Sequence, residues 1–299
     1  MPSRPGRVHA EPVMGTVVSI NIRRPPGAAE LGPSALDAAI AAAVAVLHRA
    51  DEDFSTFLPS SWVSRLRRGE IGLDDCPDHV REVYRTADAC RERTGGSFDP
   101  AWRTDGTLDP TGLVKGWAAD AASRALTDAG APDHCVNAAG DLLVRGASGT
   151  GRPWRVGIAD PFERARLVAV VEGTDLAVAT SGVSERGGHV VDPRTGTPAS
   201  ALASVTIVGA DLTLADAYAT AALAAGHAAP ALLADLARQG WAWLTVDATG
   251  RLARSAGFPG QVAAAASTPS NGVIPPDTRP SERLSSVPAW SAPTAVGPG

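Results

Sequence analysis

Residues 203–225 read ASVTIVGADLTLADAYATAALAA and change period within a few positions. Ala203 to Gly209 is apolar and β-branched and reads as a strand. Leu214 to about Ala225 is Ala-rich and reads as a helix, in which positions four apart share a face. Asp216 and Thr220 stand at that spacing. A carboxylate and a hydroxyl one turn apart suit a hard cation such as Mg²⁺, which takes oxygen ligands and keeps its waters. The same pair also reads as an acid in a first helical turn and a threonine facing a neighbouring strand. Upstream lie Thr180-Ser181-Gly182 and His189-Val190-Val191-Asp192-Pro193-Arg194-Thr195-Gly196, a histidine before a short apolar run and a Pro/Gly turn. Together these point to a metal-assisted phosphate site.

Working outward, Met14 to Ile22 alternates with β-branched residues and reads as a strand. Ser34 can cap a helix from about Ala35 to Arg49, with Asp37 completing a weak capping box. Asp78 can cap a second helix from His79 to about Arg93, ended by Thr94-Gly95-Gly96. Residues 97–112 are rich in turn signals, and a helix follows from Leu113 to about Ala129, stopped by Gly130 and Pro132. Val136 and Leu142 to Val144 read as strands around Asn137-Ala138-Ala139-Gly140-Asp141. Trp154 to Ile158, Leu167 to Glu172 and Leu176 to Thr180 are further short strands. Pro230 to about Arg238 is helical, and Trp241 to Val246 is a strand before the Asp247-Ala248-Thr249-Gly250 turn and Leu252. Helices mixed with hairpin-prone strands argue an α+β fold with largely antiparallel sheets and flanking helices. The expected organisation is a flexible N-terminus over 1–11, one domain over 12–258, and a disordered tail over 259–299. That tail is rich in Pro, Ser and Ala and cannot bury enough apolar surface to offset its ordering entropy.

The chain has 299 residues, 44% of them hydrophobic, enough for a sizeable core. Its 27 Lys and Arg against 32 Asp and Glu give a net charge of −5, without the basic excess of a nucleic-acid binder. Cys76, Cys90 and Cys135 cannot all pair, fit no CxxC-type metal motif, and read as thiols in a reducing compartment. The N-terminal sequence has no apolar signal core and no lipid-anchor cysteine, so a cytoplasmic location is expected. No stretch reaches about 18 uncharged apolar residues, so no membrane span is expected. The nucleophile elbow of a serine hydrolase, the Rossmann fingerprint and the P-loop are all absent.

Three other segments carry candidate chemistry. Asp109-Pro110-Thr111-Gly112-Leu113-Val114-Lys115-Gly116-Trp117 leads a turn into a helix, whose free N–H groups attract anions. Lys115 in the first turn opposes the helix dipole, which marks either function or an ordinary surface lysine. In Ser97-Phe98-Asp99-Pro100, an aromatic flanked by hydrogen-bonding groups is either a clamp for a planar ring or a core phenylalanine in a turn. Phe57, in Phe54-Ser55-Thr56-Phe57, has the same two readings. His189 is either a structural histidine or a general base near neutral pH.

These pieces, with Met14-Gly15-Thr16 and Asn137 to Asp141, resemble in content and order the ApbE-type FAD:protein FMN transferases, over about residues 12 to 255. The resemblance implies a T-fold-like architecture and a Mg²⁺-dependent reaction with FAD as substrate. A Ser or Thr hydroxyl of an acceptor protein attacks the FAD pyrophosphate, FMN becomes linked through a phosphoester, and AMP leaves. It further implies metal ligation by Asp216 and Thr220 side chains and the Gly112 carbonyl. Lys115 offsets diphosphate charge. Asp99 and Asp109 hydrogen-bond adenine or ribose groups. Phe57, Phe98, Met14 and Val190 line the pocket beside Ser97. His189 takes the hydroxyl proton. Two alternatives keep parts of this assignment: a Mg²⁺-dependent FAD pyrophosphatase giving FMN and AMP, and a non-catalytic FAD-binding protein. Acceptors of this family carry a motif of the kind Asp-x-x-Ser/Thr-Gly-Ala-Ser/Thr, and Arg145-Gly-Ala-Ser148-Gly-Thr150 is the nearest stretch here, without the upstream Asp spacing. The Asp-Pro-Thr-Gly-Leu-Val start replaces the Gly- and Ser-rich start usual in the family. Only Ala101 to Leu108 separate the two Asp-containing motifs, where many relatives carry a long insertion.

Overall fold

In the computed structural model, the described residues are 6–27, 31–103, 105–183 and 190–262. The strands are β1 (Arg7–Val13), β2 (Thr16–Ile22), β3 (His134–Ala138), β4 (Asp141–Arg145), β5 (Trp154–Ala159), β6 (Leu167–Gly173), β7 (Leu176–Gly182), β8 (Val191–Asp192), β9 (Thr197–Pro198), β10 (Leu202–Gly209), β11 (Ala242–Asp247), β12 (Leu252–Arg254) and β13 (Gly260–Val262). The helices are α1 (Pro33–Phe54), α2 (Trp62–Arg67), α3 (Asp78–Arg93), α4 (Thr111–Asp128), α5 (Leu212–Ala225) and α6 (Ala229–Arg238).

The main sheet runs β1-β2-β3-β4-β7-β10-β11-β12, and a smaller sheet runs β13-β6-β5. Every pairing is antiparallel, as the α+β reading expected. Strand alternation divides the interior in two. Ala177, Ala179, Val205 and Ile207 join the helices in one core, while Leu176, Val178, Val208 and Leu244 join β5 and β6 in another. The order of layers is therefore helices, main sheet, small sheet. Residues 212–238 are long and apolar enough to cross a membrane by length and composition. Within them, α5 is the central core helix, with twelve of its residues buried.

Several boundaries differ from the sequence reading for local reasons. Met14 is not in a strand: it has φ 54° and Gly15 φ 67°, so the two form the hairpin turn between β1 and β2. Positive φ at both central positions is what this tight hairpin needs. Residues 7–11, expected to be flexible, belong to β1, whose full length pairs with β2. Helix α1 is uncapped by Ser34: Gly32 is the N-cap and Pro33 occupies the first turn, where its missing N–H costs nothing. That helix continues past Arg49 because Ala50 and Phe54 extend the buried stripe of Leu36, Ala39, Ile40, Ala43 and Leu47. Phe54 meets Trp117 edge-on at 5.3 Å between ring centroids. Pro77, rather than Asp78, occupies the N-cap position of α3, with no side-chain capping bond. Helix α2 went unread in the sequence, although Ser61 caps it by accepting the Ser64 N–H at 3.0 Å. At the other end, β13 carries the fold beyond residue 258, and the remaining tail from 263 lies outside the described residues.

Helices α4 and α5 cross at Gly116. A Cβ there would sit 2.6 Å from the Leu212 carbonyl oxygen and 3.1 Å from the Asp216 Cβ. Alanine in a helix interior is intrinsically favoured over glycine by about 1 kcal/mol. Overpacking against backbone costs about 1–3 kcal/mol, so the steric term wins. Gly116→Ala is therefore expected to lower the melting temperature by about 2–4 °C per kcal/mol of net destabilisation. Circular dichroism melts check this, and an unchanged or raised Tm would mean that the two helices part freely.

Candidate functional site

The site grows from the α4–α5 crossing. Asp211 starts α5, its Oδ1 accepting the Leu214 N–H at 2.9 Å. One turn in, Asp216 is 6% exposed and its Oδ2 accepts the Gly116 N–H at 3.2 Å. One turn further, Thr220 shares a hydroxyl–hydroxyl hydrogen bond of 3.2 Å with Ser181 of β7. The residue before Ser181 donates its backbone N–H to Asp141 Oδ1 at 2.9 Å. The other oxygen of Asp141 is hydrogen-bonded and ion-paired to Lys115 on α4. Lys115 precedes Gly116, so these contacts close a ring through α4, α5, β7 and β4 that joins one cation, two carboxylates and two hydroxyls.

Burial holds the Asp141 carboxyl above its ordinary range, and the Lys115 ammonium pulls it back down. Lys115, expected in the first turn, stands one turn along because α4 begins at Thr111; the dipole is weaker there, and a buried carboxylate from β4 pairs with it. In the sequence, Asn137 to Asp141 stands out as a motif but nothing assigns Asp141 a task. Ser181 stands within Thr180-Ser181-Gly182, likewise with no task of its own. The signal for both was their adjacency to turn motifs at strand ends, but their partners come from elements 26 and 39 residues away.

Asp216, Thr220 and Gly112 were the sequence-based metal ligands. Gly112 lies one helical turn before Gly116, with the Phe98 ring 3.0 Å from where its Cβ would stand. The donors collected around the crossing are oxygens: a carboxylate, two hydroxyls and a helix-start backbone. Among the described residues no group of three or more His, Cys, Asp or Glu could hold a metal. One carboxylate with hydroxyls and carbonyls fits Mg²⁺, which is commonly bound by one or two carboxylates together with substrate phosphates.

The other sequence-based candidates fall in several places. Ser97 and Phe98 are buried, and Phe98 belongs to the core, its N–H bonded to Thr94 Oγ1 at 3.1 Å. Asp99 accepts the Ala101 N–H at 2.8 Å and lies 3.3 Å from Arg91 Nε. Asp109 is buried and bonds Thr111 through both its N–H, at 3.1 Å, and its hydroxyl, at 2.6 Å. The Phe57 ring is 92% exposed on the loop between α1 and α2. Met14 sits in the β1–β2 turn, and Val190 is half-buried against the core with its carbonyl bonded to Ala199. His189 lies outside the described residues. Among the described histidines, His134 is fully buried between Ser123 Oγ and the Ala131 carbonyl, each at 2.7 Å, and burial lowers its pKa. It is a structural group.

On the opposite face of the main sheet, a cleft of about 370 Å³ separates that sheet from β5 and the segment that follows it. Asn137, Thr180, Gly182 and Ser204 line one side and Arg155 and Arg164 the other. Thr180 turns its hydroxyl to this face, where it meets Thr206 Oγ1 at 2.9 Å.

The sequence profile of the ApbE family matches residues 14–106 and 102–243. A protein of Rhodobacter capsulatus named FAD:protein FMN transferase is 42% identical over 128 residues, 40% of this chain and 24% of that protein. One of the same name from Klebsiella pneumoniae is 33% identical over 129 residues, 40% of this chain and 37% of that protein. The matched stretch thus spans about a quarter to two fifths of these relatives' length. Among solved structures, the ApbE protein of Thermotoga maritima aligns with TM-score 0.73 at 23% identity, covering 84% of this chain and 97% of that one. The flavin transferase ApbE of Vibrio cholerae aligns with TM-score 0.71 at 21% identity, covering 85% and 99%. At these identities the structural likeness establishes the fold.

Proposed function

This chain belongs to the ApbE family, and on that premise we propose that it transfers FMN from FAD to a Ser or Thr hydroxyl of an acceptor protein, dependent on Mg²⁺ and releasing AMP. The observation that carries the proposal is the closed ring of contacts linking Lys115, Asp141, Ser181, Thr220 and Asp216. It gathers a cation and hard oxygen donors, the complement of a diphosphate.

In this reading the acceptor oxygen attacks the FMN phosphorus, and a new P–O ester bond forms. The bridging P–O bond of the pyrophosphate breaks, and AMP leaves with the electron pair. Asp216, Thr220 and the Gly112 carbonyl would hold Mg²⁺, which supplies charge neutralisation and orientation of the diphosphate when bound. Lys115, held by Asp141, offers its ammonium to the same phosphates and strengthens as charge moves onto the leaving oxygen. The pre-set Lys115–Asp141 geometry spares the reaction the cost of ordering a long side chain. His189 receives the hydroxyl proton, a role that rests on the sequence pattern alone.

The test is incubation with FAD and Mg²⁺, with and without a protein bearing an Asp-x-x-Ser/Thr-Gly-Ala-Ser/Thr segment. AMP release by chromatography and an FMN-sized mass gain on the acceptor are the expected results. AMP with free FMN and no adduct would replace the transferase with a pyrophosphatase. FAD binding without AMP release in the presence of acceptor would make it a binding protein.

A further inference from the structure

Arg67, the last residue of α2, was not singled out by its sequence context. Its Nε donates to the Leu108 carbonyl at 3.3 Å, and its guanidinium lies 2.5 Å from Asp109 Oδ2, an ion pair without hydrogen-bond alignment. One side chain thus grips two successive residues. The pair is well removed from solvent, at 15% exposure for Arg67 and 6% for Asp109. Arg103 adds a second, more distant cation at 3.7 Å. The other oxygen of Asp109 is occupied by Thr111, through its N–H at 3.1 Å and its hydroxyl at 2.6 Å. Thr111 is the first residue of α4, Gly112 the second, and Lys115 stands one turn along.

The chain of contacts runs from α2 through Asp109 into the opening turn of α4. The guanidinium is fixed by its Nε hydrogen bond to the Leu108 carbonyl, and from there its charge faces the Asp109 carboxylate. Both oxygens of Asp109 are engaged inside the protein, so this carboxylate sets the start of α4. We propose that Arg67 is a positioning residue for the reaction, acting through Asp109 to fix the opening turn of α4, and with it Gly112 and Lys115, against Asp216 and Thr220. The inference rests on the transferase reading above and adds a residue to it.

The experiment compares wild type, Arg67→Met, Arg67→Lys, Asp109→Asn and the Arg67→Met/Asp109→Asn double variant. AMP release is measured against FAD and against Mg²⁺, with hydrogen exchange followed on the intact chain. Arg67→Met is expected to raise the Mg²⁺ needed for half-maximal rate by about 10- to 100-fold, as loss of outer-shell support does. Its kcat should fall by up to about a hundredfold, the scale of a small misplacement, with KM for FAD within about threefold of wild type. Added guanidinium ion is expected to recover part of the rate of Arg67→Met, and Arg67→Lys should lie between. The double variant should be no worse than the poorer single one, because both remove one clamp. Exchange at residues 111–115 should quicken in Arg67→Met. A raised KM for FAD with unchanged kcat, or additive losses in the double variant, would overturn the proposal by showing direct contact with substrate. Unchanged exchange at 111–115 would overturn it whatever the activity. Absence of AMP release from wild type would instead count against the transferase reading, and the exchange result would still decide the clamp.

Discussion

Asp216→Asn is expected to reduce Mg²⁺-dependent AMP release from FAD by about a thousandfold. Asparagine keeps the shape of the side chain and an oxygen able to accept the Gly116 N–H, which Asp216 now holds at 3.2 Å. The α4–α5 crossing should therefore survive, and the variant should melt within a few degrees of wild type. What is lost is the carboxylate charge at the site where Thr220 and Ser181 supply only neutral oxygens. Metal assistance is worth several kcal/mol of transition-state stabilisation. At about 1.36 kcal/mol per decade, some 4 kcal/mol corresponds to about three decades in rate. The measurement is AMP release over a Mg²⁺ titration, with a thermal melt of the same sample. A variant within tenfold of wild type at saturating Mg²⁺ would remove Asp216 from the metal site.

Lys115→Met is expected to have the next largest effect, and one that depends on pH. Removing the ammonium leaves Asp141 buried with only the Thr180 N–H of its present contacts to these two residues. Breaking one side of a buried ion pair costs about 3 kcal/mol or more near neutral pH. The folded-state pKa of Asp141 is already raised by burial, and Lys115 is the largest influence lowering it, so the variant raises it further. The sign follows from proton binding: the folded state then holds the Asp141 proton more tightly than the unfolded chain. The stability that protonated Asp141 contributes to the variant is therefore full below about pH 4, the unfolded carboxylate value, and is lost as pH rises from there through the folded value. Urea unfolding from pH 4 to 8 is the check. A loss independent of pH would mean that Asp141 does not carry the cost. Adding Asp141→Asn to Lys115→Met should restore much of the stability, because no buried charge remains. It should leave AMP release about a hundredfold or more below wild type, since a donor to the diphosphate is gone.

The sequence made the periodic elements readable and the partners unreadable. The strand at 203–209 and the helix at 214–225 were legible because period and composition change sharply between them. The Met14 turn was misread because the alternation of flanking β-branched residues hides a positive φ at a non-glycine position. Helix α2 was too short for a period to register, and Arg67 went unnoticed with it. The Asp216–Thr220 spacing is local, so sequence exposed it. The partners of Asp141 and Ser181 became legible only once the sheet order set β4 beside β7, a non-local fact. For Asp109 the family resemblance implies a ligand contact, and in the structure its Oδ1 accepts from Thr111, a partner two residues on that the resemblance does not name.

Strand β7 turns the Ser181 hydroxyl toward α5 and the Thr180 hydroxyl toward the cleft, by nothing more than the alternation of successive residues. The strand therefore works as a parity code. Loss or gain of one residue between the β4 pairing at Val178 and the contact at Ser181 would exchange the two compartments' hydroxyls and detach Asp141 from its N–H donor. A change of two residues would preserve the faces. Length variation along this segment in related chains should accordingly come in even steps, whereas the 146–153 connection between β4 and β5 carries no such arithmetic.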